Sequence, residues 1–123
     1  MKASIIQQKS YDFASRIIKA YKFLVSEQKE YVLSKQLLRS GTSIGANVEE
    51  ALAASSTADF IHKLNIAAKE ARETSYRLRL LRDNDYLSEA AFESIHAHNT
   101  EITKILSSIL LTTKANINPT SNS

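Results

Sequence analysis

Helix breakers are almost missing from this chain: among its 123 residues there are two glycines and one proline. An interior glycine costs a helix up to ~1 kcal/mol relative to alanine, and proline about 3 kcal/mol. Long stretches free of both can stay helical, and the apolar spacing divides them into four segments. The first runs from about Ser4 to Gln28, with Ile6, Phe13, Ile17, Ala20 and Leu24 on one stripe. The second starts near Ser34, expected as its N-cap, and reaches about Ala54, with a stripe of Leu37, Gly41, Ile44, Val48, Ala51 and Leu52.

The third segment opens on Ser56-Thr57-Ala58-Asp59, which has the form of a capping box, and continues to about Asn84. Its stripe is Phe60, Leu64, Ala67, Ala71, Thr74, Leu78 and Leu81. The fourth follows Ser88 as N-cap, with Glu89 near the positive helix end and a stripe of Phe92, Ile95, Asn99, Ile102, Leu106 and Ile109. The connections are short, which forces antiparallel neighbours. The expected fold is all-α, an antiparallel up-down-up-down four-helix bundle over residues 1–115. Residues 116–123, Asn-Ile-Asn-Pro-Thr-Ser-Asn-Ser, are expected to form a disordered polar tail.

Length allows one domain with one core, burying roughly two-thirds of the unfolded surface. The chain has no cysteine, which removes disulfides, thiolate metal sites and cysteine nucleophiles and fits a reducing cytoplasm. Met1 to Gln8 contains no unbroken apolar run of the signal-peptide kind. No apolar run approaches the ~20 residues needed to span a bilayer, so a cytoplasmic protein without membrane contact is expected.

The helix faces outside the core are uneven. In the first helix Lys2, Lys9, Arg16, Lys19 and Lys22 share one half with Asp12 and Glu27. The other half carries the core stripe and also Ala14, Ile18, Tyr21 and Val25. That apolar arc is wider than the ~100° a lone bundle requires. Ile66, Tyr76 and Leu80 add apolar surface on the third helix. These faces are read as an oligomer interface, against the plainer reading of ordinary surface apolar residues. Arg72 and Arg79 lie seven apart with Asn65, Lys69 and Tyr76 nearby, a pattern that can hold phosphate and stack a base. The plainer alternative is a solvated, salt-bridged face, given the Asp59/Lys63 and Glu73/Arg77 pairs. On the second helix, Arg39, Ser43, Asn47 and Glu50 form a polar stripe among small residues. It is read as a close contact with fixed hydrogen bonds, between helices or between subunits.

Catalytic and metal chemistry have no pattern to rest on. His96 and His98 are two apart, so on a helix they diverge, and no Glu-x-x-His pair is present. His98 and Asn99 are read as a satisfied buried polar pair. Ser94-Ile95-His96 and Glu73-Thr74-Ser75 make no triad by sequence, and there is no glycine-rich phosphate loop. No catalytic residue, metal ligand or cofactor is expected.

The segment Arg39-Ser40-Gly41-Thr42-Ser43-Ile44-Gly45-Ala46-Asn47-Val48-Glu49-Glu50-Ala51 resembles the Arg-x-x-x-Ser-Ile-x-x-Asn-Ile-x-Glu-Gly motif of the bacterial 23S rRNA intervening-sequence proteins. Phe60 to Thr74 is similar to that family's Phe-x-x-x-Leu-x-Ile-Ala-x-x-x-x-x-Glu-Thr pattern, and Ser75 to Leu81 to the continuation after it. The resemblance covers roughly residues 10 to 112. This chain has Ala51 where glycine is common in the family, and Arg77 where tryptophan is. The resemblance implies a four-helix bundle, a ring-like homopentamer and a gene carried in an rRNA insertion or related to one. It also implies kinship with the basic pentameric accessory protein of diversity-generating retroelements, which binds nucleic acid and a reverse transcriptase. Arg39, Ser43, Asn47, Glu50 and Glu73 match its motif positions, and no catalytic residue is implied.

The resulting expectation is a non-enzymatic homo-oligomer that binds rRNA or another nucleic acid through Lys9, Arg16, Lys19, Lys22, Arg72 and Arg79. Arg39, Ser43, Asn47, Glu50 and Glu73 are expected at an oligomer or helix-packing interface. The alternative is a protein–protein scaffold or accessory subunit in which the basic residues only solubilise.

Overall fold

Four runs of 3.6-residue apolar spacing become four helices: α1 (Lys2–Ser26), α2 (Leu33–Leu52), α3 (Thr57–Asp83) and α4 (Glu89–Ile117). The computed structural model describes residues 2–117, with side chains from Ile5 onward. The helices run up, down, up and down, so α1 and α3 take one diagonal of the bundle and α2 and α4 the other. The α2–α3 and α1–α2 pairs pack most extensively, and α1–α4 is the least extensive seam of the four. Among the described residues there is no strand, and no helix is long and apolar enough to cross a membrane.

The stripes close on one core. Phe13, Ile17, Leu24, Leu37, Ile44, Val48, Leu64, Leu78, Leu81, Ile102 and Leu106 are fully enclosed, each contributing about 1.5–3 kcal/mol by leaving water. Three stripe ends depart from expectation. Leu52 closes α2 exposed, Phe60 is only partly buried, and Leu110 rather than Ile109 is buried near the end of α4. Each lies within three residues of a helix end or late in a long helix, where a fixed periodicity drifts off the packed face. Asn116 and Ile117 belong to α4, so the helix runs two residues past the expected start of the tail. Residues 118–123 lie outside the described residues.

The caps explain the helix starts. Ser56 Oγ accepts from Asp59 N–H at 3.1 Å, and Ser88 Oγ accepts from Ala91 N–H at 3.1 Å, as the sequence predicts. α2 differs. It begins at Leu33, so Ser34 falls inside the helix and is wholly buried. The cap is the Glu30 carboxylate, which accepts from Ser34 N–H at 2.8 Å and Val32 N–H at 3.4 Å. Ser34 Oγ donates back to the Glu30 carbonyl at 2.7 Å. α3 ends in a Schellman turn without glycine. Asp85 takes the left-handed position at φ 68°, Tyr86 N–H donates to Leu81 O at 2.8 Å, and Asp85 N–H to Arg82 O at 3.1 Å.

Both glycines of α2 are buried against α1. A Cβ on Gly41 would fall 2.7 Å from Ile17 Cγ1, so the absent side chain sets how closely the two helices approach. Polar groups also cross the core. Asn99 is buried and its Nδ2 donates to the Ala71 carbonyl at 2.9 Å, while its Oδ1 is buried without a hydrogen-bond partner. His98 does not join it in a buried pair: it is half-buried and meets Phe13 edge-on at 5.1 Å.

Candidate functional site

The outer face of α3 carries a run of exposed basic residues. Lys69, Arg72, Tyr76 and Arg79 recur at three- and four-residue steps, so they share one stripe about 15 Å long. All four are exposed, Tyr76 at 52%. The Arg79 guanidinium lies 5.9 Å from the centre of the Tyr76 ring, at the outer reach of a cation–π contact. Asn65 continues the stripe towards the helix start. At the other end Arg82 is occupied by Asp83, 2.8 Å from its Nε, and its guanidinium sits 4.1 Å from the Phe92 ring centre.

The basic residues of α1 behave differently. Lys9 Nζ pairs with Glu101 of α4 at 2.9 Å. Arg16 donates to Ser94 Oγ at 2.7 Å and to the Ser94 carbonyl at 3.3 Å. Both therefore tie α1 to α4, while Lys19 and Lys22 stay exposed. Since α1 and α3 are diagonal, Lys19 and Lys22 do not join Arg72 and Arg79 on one face. The side chain of Lys2 lies outside the described ones.

Arg39 alone of the α2 motif residues lines, with α3, a polar cleft of about 350 Å³ formed by Gln36, Arg39, Ser40, Lys69, Glu70, Glu73 and Arg77 with Ile66. Ser43 Oγ donates to the Arg39 carbonyl at 2.6 Å, and its hydroxyl also meets the Glu70 carboxyl. Asn47 Nδ2 donates to the Ser43 carbonyl at 2.8 Å, within its own helix. Glu50 is exposed on the far end of α2. Burial, with Glu73 beside it, holds the Glu70 carboxyl above the usual carboxylate range against the opposing pull of Ser43 and Arg39. The hydrogen bond from Glu70 holds Glu73 below that range, helped by Lys69, Arg77 and Arg39. Of the two carboxyls, Glu70 is the one that keeps its proton to the higher pH. Arg77 donates to Gln36 Oε1 at 3.1 Å, and its Nε is buried without a hydrogen-bond partner. Below the cleft the hydroxyls of Ser40 and Thr74 meet at 3.0 Å inside the bundle.

One pairing could not be read from the sequence. Ser75 Oγ and His96 Nε2 lie 2.7 Å apart across the α3–α4 seam, with the His96 ring stacked on Phe92 at 4.9 Å. Burial first, then Arg79 and Arg82, hold His96 below the usual histidine value and so neutral at pH 7. A serine nucleophile needs its base oriented by a third group. Among the described residues no carboxylate bonds this imidazole, and the charges around it are cationic, so the pair acts as a tie between helices. Among the described residues no group of three or more His, Asp or Glu could hold a metal ion.

The family described as 23S rRNA-intervening sequence protein matches residues 2–108. The chain belongs to this family. A solved member of the S23 ribosomal protein family, a protein of unknown function from Bacteroides thetaiotaomicron VPI-5482, is 58% identical and superposes with a TM-score of 0.89. The match covers 89% of this chain and 98% of that one. No curated protein matches. Of the intervening-sequence family positions, Arg39 and Glu73 line the α2–α3 cleft, and Ser43 reaches the Glu70 carboxyl beside it. Arg77, which stands where tryptophan is common, closes the same cleft with a charge. Lys69, Glu70 and Gln36 complete it; the sequence pattern grouped Lys69 with Arg72 and Arg79 instead, and only i,i+3 spacing to the motif positions could have marked the other two.

Proposed function

We propose that this intervening-sequence family protein is a non-enzymatic homo-oligomer, a pentamer, that binds RNA or DNA through basic surfaces. The observation that carries the reading is the exposed α3 stripe: Arg72 and Arg79 with Tyr76 between them, continued by Lys69 at the edge that Glu73 borders. Phosphate contacts position such a protein and an exposed tyrosine stacks an unpaired base. Lys19 and Lys22 form a second, smaller patch, and Lys9 and Arg16 stiffen the seam behind it. Five copies at +3 each carry about +15 on one body, so a weak patch is multiplied by assembly. Of the motif residues, Arg39, Ser43 and Glu73 join α2 to α3, while exposed Glu50, with Asn47 on the same helix, is left for contact between subunits.

A salt titration of binding to structured RNA and to duplex DNA, with light scattering on the same samples, tests both halves. The expected result is a pentamer whose log K falls steeply with log salt. Replacing Arg72 and Arg79 together by glutamine is expected to lower the slope by about two per bound protomer. Affinity that ignores salt, or absence of binding at low salt, overturns the nucleic-acid reading. The scaffold reading is favoured by a separate observation: Tyr11, Ile18 and Phe23 leave apolar surface of α1 open, at 67%, 39% and 42% exposure. An assembly that forms and binds neither polymer supports that reading instead.

A further inference from the structure

The α1–α4 seam opens into a groove of about 840 Å³ at the end of the bundle where α3 turns into α4. That volume lies in the range of small-molecule sites, about 300–1,000 Å³. The groove exists because two alanines face it, Ala20 from α1 and Ala91 from α4, along the seam that packs least. Phe23, Leu87, Ile95 and the ring of Tyr86 supply the rest of its apolar surface. Phe23 leaves 42% of its surface in water although it stands beside this hollow, where a ligand would cover it.

Charge at the groove is placed asymmetrically. Arg16 and Lys19 belong to its lining, and the bond to Ser94 Oγ fixes the Arg16 guanidinium at the α4 side. Asp85 is the one carboxylate in the lining, beyond the apolar floor, on the α3–α4 turn. An apolar floor flanked by two cations suits a molecule with an apolar body and an anionic head. We infer that the groove is a binding site for a small amphipathic anion, a carboxylate or phosphate on an acyl or aromatic body. Lys19, exposed and in no ion pair among the described residues, supplies the free charge, and Arg16 the fixed one. The groove shares Lys19 with the second, smaller basic patch of the nucleic-acid reading, but not the main stripe, which lies on the diagonal helix.

The probe is anilinonaphthalene sulfonate, an aromatic anion, followed by fluorescence on the assembled full-length protein. Competition then compares dodecanoate, dodecyl phosphate and dodecanol. Saturable binding at one probe per chain is expected, displaced by both anions and about tenfold less well by the alcohol, the difference one charge-assisted bond makes. A carboxylate preferred to the phosphate, or the reverse, identifies the head the groove takes. Ala91→Leu, which fills the groove with another good helix former, is expected to abolish binding while circular dichroism and scattering stay unchanged. Lys19→Gln is expected to lower dodecanoate affinity about tenfold and to leave dodecanol alone. Equal displacement by alcohol and anion, or binding that survives Ala91→Leu, overturns the assignment. So does absence of binding to the assembled protein, since a neighbouring copy then covers the groove.

Discussion

Gly41 and Gly45 sit one turn apart on α2, yet a methyl group would be felt very differently at each. On Gly41 it would press against Ile17 Cγ1 and Cγ2 at 2.7 and 2.8 Å, and Ile17 is fully enclosed and cannot swing away. On Gly45 the nearest atom is the Ser10 carbonyl oxygen at 3.3 Å, a contact that relaxes with a shift of a few tenths of an ångström. Gly41→Ala is expected to destabilise by about 1–3 kcal/mol, less the helix-propensity gain, while Gly45→Ala stays within about 1 kcal/mol of the parent. Urea melts of the two variants check this. The histidines give a second residue-scale expectation. His96 and His98 are both held below the usual value, chiefly by burial and then by arginines, Arg79 for the first and Arg16 for the second. The unfolded chain then binds protons that the folded one refuses. Stability is full above about pH 6.5 and falls as pH drops through and below that value. Urea midpoints measured from pH 7.5 to pH 5 are expected to decline, and the decline should shrink in His96→Gln.

At the scale of the helix, the start of α2 shows both what the sequence disclosed and what it withheld. Ser34 ahead of an apolar run has the local form of an N-cap, and only tertiary structure reveals that Leu33 already belongs to the helix. The carboxylate four residues upstream then finds the free N–H groups, an arrangement with no short-range signature because it depends on how Glu30 folds under the turn. By contrast Ser56 and Ser88 were legible, since a hydroxyl three residues from its N–H donor is a purely local geometry. Glu30→Ala removes an almost buried carboxylate that serves two N–H groups, so it is expected to cost about 1–3 kcal/mol. Ser56→Ala, at an exposed cap, is expected to cost about 1 kcal/mol. Thermal melts should rank Glu30→Ala as the worse of the two.

For the whole molecule, the bundle and its core stripes could be read because 3.6-residue periodicity survives packing, with errors at a helix end, such as Leu52, or late in a long helix, such as Ile109. The candidate site was less legible. Periodicity placed Arg72 and Arg79 on one stripe, but it could not say that α1 and α3 are diagonal or that Lys9 and Arg16 are already bonded to α4. Nor could it bring Ser75 to His96, twenty-one residues away along the chain. Assembly has its own thermodynamic signature: if copies associate through faces that unfolding destroys, Tm rises with protein concentration. Scanning calorimetry over a hundredfold range of concentration is expected to show that rise, and a constant Tm would mean that each chain melts alone. The unequal seams carry a further consequence for how the molecule breathes. With α2 held on both sides and α1 meeting α4 over its shortest contact, the cheapest excursion from the native state is a hinge-like parting of the outer two helices. α4 stays attached there through α3 alone. Deuterium should therefore enter the amides of α4 and of the second half of α1 at denaturant levels that leave α2 and the middle of α3 protected.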